Sequence, residues 1–327
     1  TRTKEWYRTQ RSKIPSASFG ELQERGLPIS DVENRSSPAC FHLAGCISLV
    51  GQPLDFGMPW HSSLMPIDKD YMAVQRAAVE CAYAGCETIW ITLSYGQEPL
   101  VREVLGDFIE DPVWFYRFGE KYPKENRKQI PIFYVPIHPK DAGRRDCYSW
   151  GILNSAMASY YTSKKISNWI IPDKYYVSHP YGVYDPAAIR EYRKDISSVD
   201  KCFYIRYDGS TVVNNNYLGF TFDTETFVTV RRQFRELEKT RKRQEPRPAR
   251  FFKLEEIFNV LDPEFVSCEE KIFCDIPEYH DISFWNGYVN CISGTKVRKP
   301  TLKILKEGKK KFALPPIECY NSDIEKD

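Results

Sequence analysis

Ile47-Ser-Leu-Val-Gly51 and Thr88-Ile-Trp-Ile-Thr-Leu93 are two short apolar runs that lie on either side of a helical pattern. The first run ends at a glycine and the second is rich in β-branched residues, so both predict buried strands. Between them, Asp68 to Gly85 has apolar residues on one helical face, with Asp68 as the predicted N-cap and Gly85 as the stop. The order strand, loop, helix, strand is typical of a parallel α/β sheet.

The same alternation continues along the chain. Strands are predicted within 130–137 and over 174–178, and helices over 150–165 and 187–193. Together these elements predict an α/β fold with a mixed, mainly parallel, doubly wound sheet.

After Ser198 the pattern changes. Cys202 to Tyr207 and Thr211 to Val213 flank the turn residues Asp208-Gly-Ser210, which predicts a hairpin. Tyr217 to Phe222 alternates apolar and polar residues, as an antiparallel strand does. We therefore expect an α+β C-terminal part.

The composition narrows the class of protein. The 327 residues have a net charge of +2, which excludes a polycation or an acidic disordered chain. The ten cysteines include no CxxC pair, which argues against a structural zinc site of the usual spacing. No secretory signal begins the sequence, and the longest apolar stretch, 39–51, is shorter than the roughly 20 residues of a membrane span. We therefore expect reduced thiols in a soluble, cytoplasmic protein without a membrane partner.

Four stretches share their order and spacing with the motifs of one enzyme family. They are Ser48-Leu-Val-Gly51 through Leu64-Met-Pro-Ile67, then Tyr83-Ala-Gly-Cys-Glu-Thr-Ile-Trp90, then Asp173-Lys-Tyr-Tyr-Val177 to Tyr184-Asp-Pro186, and last Tyr279-His-Asp-Ile-Ser283 with Trp285 and Tyr288. Together they resemble the sugar nucleotidyltransferases, which join a sugar 1-phosphate to a nucleotide. The resemblance implies a Rossmann-like, glycosyltransferase-A-like fold and a nucleotide or nucleotide sugar as ligand.

The resemblance also implies how the chain divides. It gives an N-terminal extension over 1–45 and a nucleotide-binding α/β half over 46–200. A sugar-side or acceptor-side α+β half of the same domain follows over 201–295, and 296–327 form a C-terminal tail.

In the family, a glycine-rich loop holds the nucleotide phosphates, an arginine and a lysine neutralise them, and two aspartates hold magnesium. These groups offset the charge that builds when the α-phosphate is attacked. The resemblance places Asp55 where the family has its arginine, and Tyr181 at the first metal aspartate, with Asp185 four residues later. Asp281 matches the second metal aspartate directly, so the resemblance implies Mg²⁺ or Mn²⁺ at Asp281.

The candidate site residues lie where parallel strands end, because an open α/β sheet binds its ligand outside those ends. The candidate catalytic residues are Asp281 and Asp185. Arg144 and Arg145 precede a predicted helix, whose N-terminal amides favour an anion. The expected nucleotide-binding and phosphate-binding residues are Gly51, Gln52, Asp55, Gly57, His61, Arg144, Arg145, Tyr148, His179 and Tyr181.

Three interpretations fit the missing arginine, lysine and first aspartate. The protein is a nucleotidyltransferase with a rebuilt phosphate clamp, a glycosyltransferase that moves a sugar from a nucleotide sugar to an acceptor, or a non-catalytic binding protein of the same fold. Candidates for a rebuilt clamp are His61, Lys69 and the cluster of Lys140, Arg144 and Arg145. Asp68-Lys-Asp70 is the only literal DxD motif of the kind that glycosyltransferases use, although Asp68 is also the predicted helix cap.

A basic run from Arg231 to Arg250 raises a second class of partner. It has nine basic residues against three glutamates, and clustered Lys and Arg are typical of nucleic-acid binding. A solvated helix leading into a linker explains the same run. Modified DNA as the acceptor of a sugar transferase would reconcile the basic run with nucleotide-sugar chemistry.

Overall fold

The computed structural model describes residues 41–51, 54–58, 60–113, 128–139, 141, 147–166, 170–244, 254–258 and 270–294. The strands are β1 (Leu43–Ser48), β2 (Pro66–Asp68), β3 (Tyr71–Met72), β4 (Thr88–Leu93), β5 (Phe108–Glu110), β6 (Gln129–Pro136), β7 (Lys174–Ser178), β8 (Gly182–Val183), β9 (Lys201–Arg206), β10 (Phe220–Asp223), β11 (Glu270–Asp275) and β12 (His280–Asp281). The α-helices are α1 (Ala73–Ala84), α2 (Glu98–Leu105), α3 (Tyr148–Ile166), α4 (Arg193–Ile196), α5 (Thr224–Gln244), α6 (Leu254–Ile257) and α7 (Trp285–Gly294). Short 3₁₀ helices cover Ser62–Leu64, Pro186–Tyr192 and Val212–Asn214.

One eight-stranded sheet organises the described residues, in the order β11-β9-β10-β7-β1-β4-β6-β5. Strands β7, β1, β4 and β6 run parallel, and β9 and β11 run parallel to each other. Strand β10 is antiparallel to both β7 and β9, and β5 is antiparallel to β6. The predicted α/β class with a mixed, mainly parallel sheet is therefore confirmed.

Helices cover both faces of this sheet, as the contacts of alternate residues along β1 show. A Cβ added at Gly45 would lie 3.0 Å from Cys81 Sγ of α1, whereas Ser48 lies against Gly151 of α3. Residues of opposite parity on a strand point to opposite faces, so α1 and α3 lie on opposite sides of β1. Helix α5 shares the face of α3, because the ring of Phe227 lies 5.7 Å from that of Tyr175 on β7.

Several sequence predictions match the structure closely. The strand predicted over 174–178 has those bounds as β7, the strand within 130–137 is β6, and the helix over 150–165 lies inside α3. The antiparallel strand predicted over 217–222 corresponds to the shorter β10, which begins at Phe220, ends at Asp223 and joins the main sheet. The helix predicted over 187–193 is instead the 3₁₀ helix Pro186–Tyr192 followed by α4.

Two local predictions are wrong. Asp68 does not cap α1: it ends β2, which pairs with β3 through a turn in which Asp70 has a φ of +58°. Helix α1 begins only at Ala73, and the side chain of Gln75 accepts the backbone N–H of Met72. The second strand of the hairpin, predicted over 211–213, is also absent: these residues lie almost wholly in the 3₁₀ helix Val212–Asn214. After β9, the described residues pair only through one isolated bridge, from Tyr207 to Ser210.

The cysteines differ from expectation at one position. Six described cysteines are buried free thiols, but Cys202 on β9 is disulfide-bonded. The expectation of reduced thiols is therefore wrong for Cys202, since pairing depends on the distance between Cα atoms in the fold, which spacing in the sequence does not give.

None of the helices in the described part of the chain is long and apolar enough to cross a membrane. The predicted N-terminal extension up to residue 40, the end of the basic run from 245 to 250 and the predicted tail over 296–327 lie outside the described residues.

Candidate functional site

The order of the strands indicates where a ligand would bind. From β1 the chain proceeds to β4 and β6 on one side, and then crosses to β7 on the other side of β1. The carboxyl ends of β1 and β7 therefore flank a topological switch point, where open α/β sheets bind their ligands. The predicted site residues around 51–62, 179–181 and 281 follow or face these two strand ends.

The loop after β1 begins at Gly51, whose φ of +64° lies in the left-handed region that favours glycine. Gly57 is exposed, with open space where a Cβ would be. The side chain of His61 accepts the backbone N–H of Ser63 and so caps the 3₁₀ helix Ser62–Leu64. Burial lowers the pKa of His61, and its hydrogen bond to the backbone of Leu49 partly opposes this. His61 therefore fixes the start of this 3₁₀ helix through its side chain.

The middle of this loop is held against α7. Asp55 Oδ1 accepts the backbone N–H of Trp285 at 2.8 Å, which caps the helix, and Asp55 N–H donates to Ser283 O at 3.3 Å. The ring of Phe56 lies 5.3 Å from that of Trp285 and 5.9 Å from that of Tyr288. Asp55 thus has a structural role, because it holds the loop after β1 against the start of α7.

Asp281 lies beside this contact, on the two-residue strand β12 that pairs with β8. Its Oδ1 accepts the N–H of Ser283 at 2.9 Å and the hydroxyl of Ser283 at 2.6 Å. Burial raises the pKa of Asp281, and the charge of Asp55 raises it further, while the bonds from Ser283 oppose the rise. The structure therefore brings together two carboxylates that are far apart in the sequence.

Three further predicted residues form a buried cluster beneath the strand ends. Tyr148, at the start of α3, shares a 2.9 Å hydrogen bond with His179 Nδ1, and Tyr181 shares one of 2.6 Å with Ser62. The ring of Tyr217 lies against all three of their rings. His179 and Tyr181 are fully buried and pack beneath the strand ends, and their predicted contact with a ligand stays a prediction.

His179 is held neutral by its surroundings. Burial lowers its pKa to about 3, and the positive charge of Arg76 adds to the effect. Its Nε2 has no hydrogen-bond partner within the described residues.

Behind this cluster lies an ion pair that the sequence analysis missed. Arg76 and Glu80, one turn apart on α1, are both fully buried and 2.8 Å apart. Glu80 also accepts hydrogen bonds from Tyr176, Ser178 and Tyr184 at 2.6 to 2.7 Å, and Arg76 donates to the carbonyl of His179 at 2.5 Å. The pair therefore fixes the end of β7 and the segment after it. The i, i+4 spacing of opposite charges on the otherwise apolar face of α1 was the available signal.

The remaining predicted residues are placed as follows. Asp185 is exposed and accepts the backbone N–H of Ala187 at 2.9 Å, which caps the 3₁₀ helix Pro186–Tyr192. The charge that raises the pKa of Asp281 comes from Asp55 and not from Asp185. Gln52, Lys140, Arg144 and Arg145 lie outside the described residues.

The described residues supply some, but not all, of the ligands that a hard divalent cation needs. No group of three or more His, Cys, Asp or Glu side chains that could hold a metal occurs within the described ranges. Asp281 and Asp55 each use Oδ1 in a protein hydrogen bond, which leaves Oδ2 as a possible ligand. Magnesium is commonly bound through one or two carboxylates plus the phosphates of the substrate, so this donor set fits a cation that binds together with a nucleotide.

No protein-family model and no curated protein matches the chain. Among solved structures, the chain is similar to a UDP-glucose pyrophosphorylase in complex with UDP-glucose, with 10% identity and a TM-score of 0.45 over 77% of this chain and 97% of that chain. It is also similar to a Bacillus anthracis protein assigned as a glucose-1-phosphate thymidylyltransferase in complex with a sucrose, with 12% identity and a TM-score of 0.45 over 79% of this chain and 98% of that chain. A third is a Mycobacterium tuberculosis protein in complex with manganese, with 12% identity and a TM-score of 0.42 over 77% of this chain and 98% of that chain.

At these identities and TM-scores the likeness assigns no residue and no activity to this chain.

Proposed function

We propose that this protein carries out nucleotide-sugar chemistry at the carboxyl ends of β1 and β7. In the form favoured here, it transfers a nucleotidyl group to a sugar 1-phosphate or binds the nucleotide sugar that results. The observation that carries the proposal is the meeting of Asp55, in the loop after β1, with Asp281 beside the switch point.

The charge of this site supports a bound cation. Two neighbouring carboxylates would repel the phosphates of a nucleotide, because like charges disfavour each other. A divalent cation between Asp55 and Asp281 would reverse that repulsion and hold the phosphates against the loop that begins at Gly51. The proposed cofactor is therefore Mg²⁺ or Mn²⁺, with Asp281 as the principal ligand.

The reaction that such a site would support is a displacement at phosphorus. An oxygen of the sugar 1-phosphate would attack the α-phosphorus of a nucleoside triphosphate, the new P–O bond would form, and pyrophosphate would leave with the electron pair of the broken bond. The cation would offset the charge that builds on the phosphate oxygens. The buried Tyr148, His179 and Tyr181 would keep the floor of the site rigid.

Calorimetric titration tests the proposal. UTP, dTTP, UDP-glucose and dTDP-glucose would be titrated with and without Mg²⁺ or Mn²⁺. We expect at least one of them to bind in a metal-dependent way, and Asp281→Asn to weaken that binding at least tenfold. Asparagine keeps the acceptor oxygen for Ser283 while it removes the charge, so the fold should be retained.

Asp55→Asn is the second variant, because asparagine also caps helices. It should weaken the metal-dependent binding without loss of stability. The matched control is Asp223→Asn: Asp223 caps α5 by accepting the N–H of Thr226, and it lies opposite Lys174 at the amino end of β7, the end away from the proposed site. If no nucleotide or nucleotide sugar bound at millimolar concentration, or if Asp281→Asn bound as tightly as the wild type, the proposal would be wrong.

Glycosyl transfer to an acceptor, including modified DNA, is the second candidate function. It is favoured by α5, on which Arg232 and Arg235 are exposed. Phosphate contacts predict duplex or single-stranded DNA binding that falls steeply with salt. A filter-binding series without salt-sensitive binding would remove DNA as the acceptor. Metal-dependent binding of a nucleotide sugar without pyrophosphate release or sugar transfer would identify the non-catalytic alternative.

A further inference from the structure

Aromatic side chains lie open to solvent next to the two carboxylates. Trp285 is 52% exposed and Phe284 is 56% exposed, at the start of α7. Both immediately follow Ser283, which donates to Asp281, and Asp55 accepts the backbone N–H of Trp285. Large exposed apolar side chains cost solvation free energy, so two of them together beside a charged site call for an explanation.

The indole of Trp285 is held in place on two sides. The ring of Phe56 packs edge-to-face against it, with centroids 5.3 Å apart, and the ring of Tyr288 lies 6.2 Å away. Tyr288 is itself fixed, because its hydroxyl donates to the carbonyl of Pro66 at 3.1 Å. Asp55 also caps the backbone of Trp285. About half of the indole faces solvent while these contacts hold it, so a ligand that stacks on it would cost little further side-chain entropy.

The charge around this ring favours one kind of ligand. The face of an indole carries partial negative charge, and the carboxylate of Asp55 accepts the backbone N–H of the same residue. Partially positive C–H bonds stack well on such a surface, and hydroxyl groups donate to carboxylates. A sugar ring presents both kinds of group.

We propose that Trp285 forms the sugar subsite, on which the hexose ring of a nucleotide sugar stacks. This inference rests on the proposed function, since the phosphates of the same ligand would be held by the cation at Asp55 and Asp281. A sugar attached to those phosphates lies within reach of Trp285, because Asp55 contacts that residue directly.

The experiment compares ligands with and without the sugar. UDP-glucose and UDP, and dTDP-glucose and dTDP, would be titrated with Mn²⁺ into the wild type, Trp285→Ala and Trp285→Phe. We expect Trp285→Ala to weaken the nucleotide sugar about tenfold, the order of one stacking contact, and to leave UDP or dTDP within about twofold. Trp285→Phe keeps a flat ring and should recover most of the affinity.

The matched control is Ile292→Ala, since Ile292 lies on the same helix and is also 52% exposed. It should change neither affinity. An equal loss for both ligands would place the nucleobase on Trp285, and no loss for either would remove Trp285 from the site; both results overturn the sugar subsite. Binding of none of these ligands to the wild type would instead refute the proposed function and the subsite with it.

Discussion

Lowering the pH from 7.5 to 5 should destabilise the protein through His179. The folded state holds this imidazole neutral, with a pKa of about 3 against 6.5 for an ordinary histidine. Since the pKa is depressed on folding, the unfolded chain takes up a proton that the folded chain refuses. The stability that depends on a neutral His179 is therefore complete above pH 6.5 and falls steadily as the pH drops towards 3.

The magnitude follows from those pKa values. A pH of 5 lies about 1.5 units below the pKa of the histidine in the unfolded chain, whereas the folded histidine is still neutral at this pH. Each pH unit of this difference corresponds to about 1.36 kcal/mol. The free energy of unfolding should thus fall by about 2 kcal/mol from this residue alone.

Urea denaturation at pH 7.5 and at pH 5, followed by tryptophan fluorescence, measures this difference. His179→Phe is the control, because its ring can pack against Tyr148 and Phe220 as the imidazole does but does not titrate. The variant should lose about 2 kcal/mol less than the wild type between the two pH values. An equal loss in the two proteins would refute the reasoning. Should the variant not fold, titration of the histidine C–H resonances of the wild type decides, since a signal from His179 that titrates above pH 5 contradicts it.

Three further perturbations follow from the same contacts. Glu80→Gln should destabilise the protein by roughly 3–5 kcal/mol in urea denaturation, because it leaves the charge of Arg76 buried without its partner; a loss below about 1 kcal/mol would contradict this. Gly151→Ala should lower stability by at least about 1–3 kcal/mol in a thermal melt, because the added Cβ would lie 1.9 Å from Ser48 Oγ; an unchanged melting temperature would be inconsistent with the close approach of α3 to β1. Mn²⁺ affinity measured by calorimetry should weaken as the pH falls, starting at a higher pH than for an ordinary aspartate, because burial raises the pKa of Asp281 and protons compete with the metal; a flat profile down to pH 4 would argue against Asp281 as a ligand.

The parallel sheet was predictable because its strands are buried on both faces. Tyr175-Tyr-Val177 and Thr88-Ile-Trp-Ile-Thr92 are uninterrupted runs of β-branched and aromatic residues, and β7 and β4 contain them. The end of α1 was equally predictable from its glycine, since Gly85 has a φ of +90°, a backbone conformation that favours glycine.

Local pattern failed where a tertiary contact decided the structure. Asp68 has the chemistry of an N-cap, but β2 and β3 pair across the turn at Asp70, which delays α1 to Ala73. Asp55 also caps α7, some 230 residues later in the chain, a contact that the sequence analysis did not predict. Contacts between residues so far apart in the chain cannot be predicted from the periodicity of a short stretch of sequence.

The place of the candidate site could be predicted only through the order of the strands. The loops after β1 and β7 flank the switch point of the sheet, and β12, which carries Asp281, pairs with β8. That a ligand binds there stays a prediction. Which of these side chains face solvent and which are buried depends on packing, and His179 is buried because aromatic rings and Tyr148 enclose it. The exposure of Trp285 beside Asp55 likewise follows only from the folded arrangement.

Calorimetric titration of UDP-glucose and dTDP-glucose in Mn²⁺, into the wild type and Asp281→Asn, tests the central claim most directly. We predict that the wild type binds at least one of them only when the metal is present, and that Asp281→Asn loses at least tenfold in affinity. Binding that is equal with and without metal, or equal in the two proteins, would contradict a nucleotide-sugar site built on Asp281.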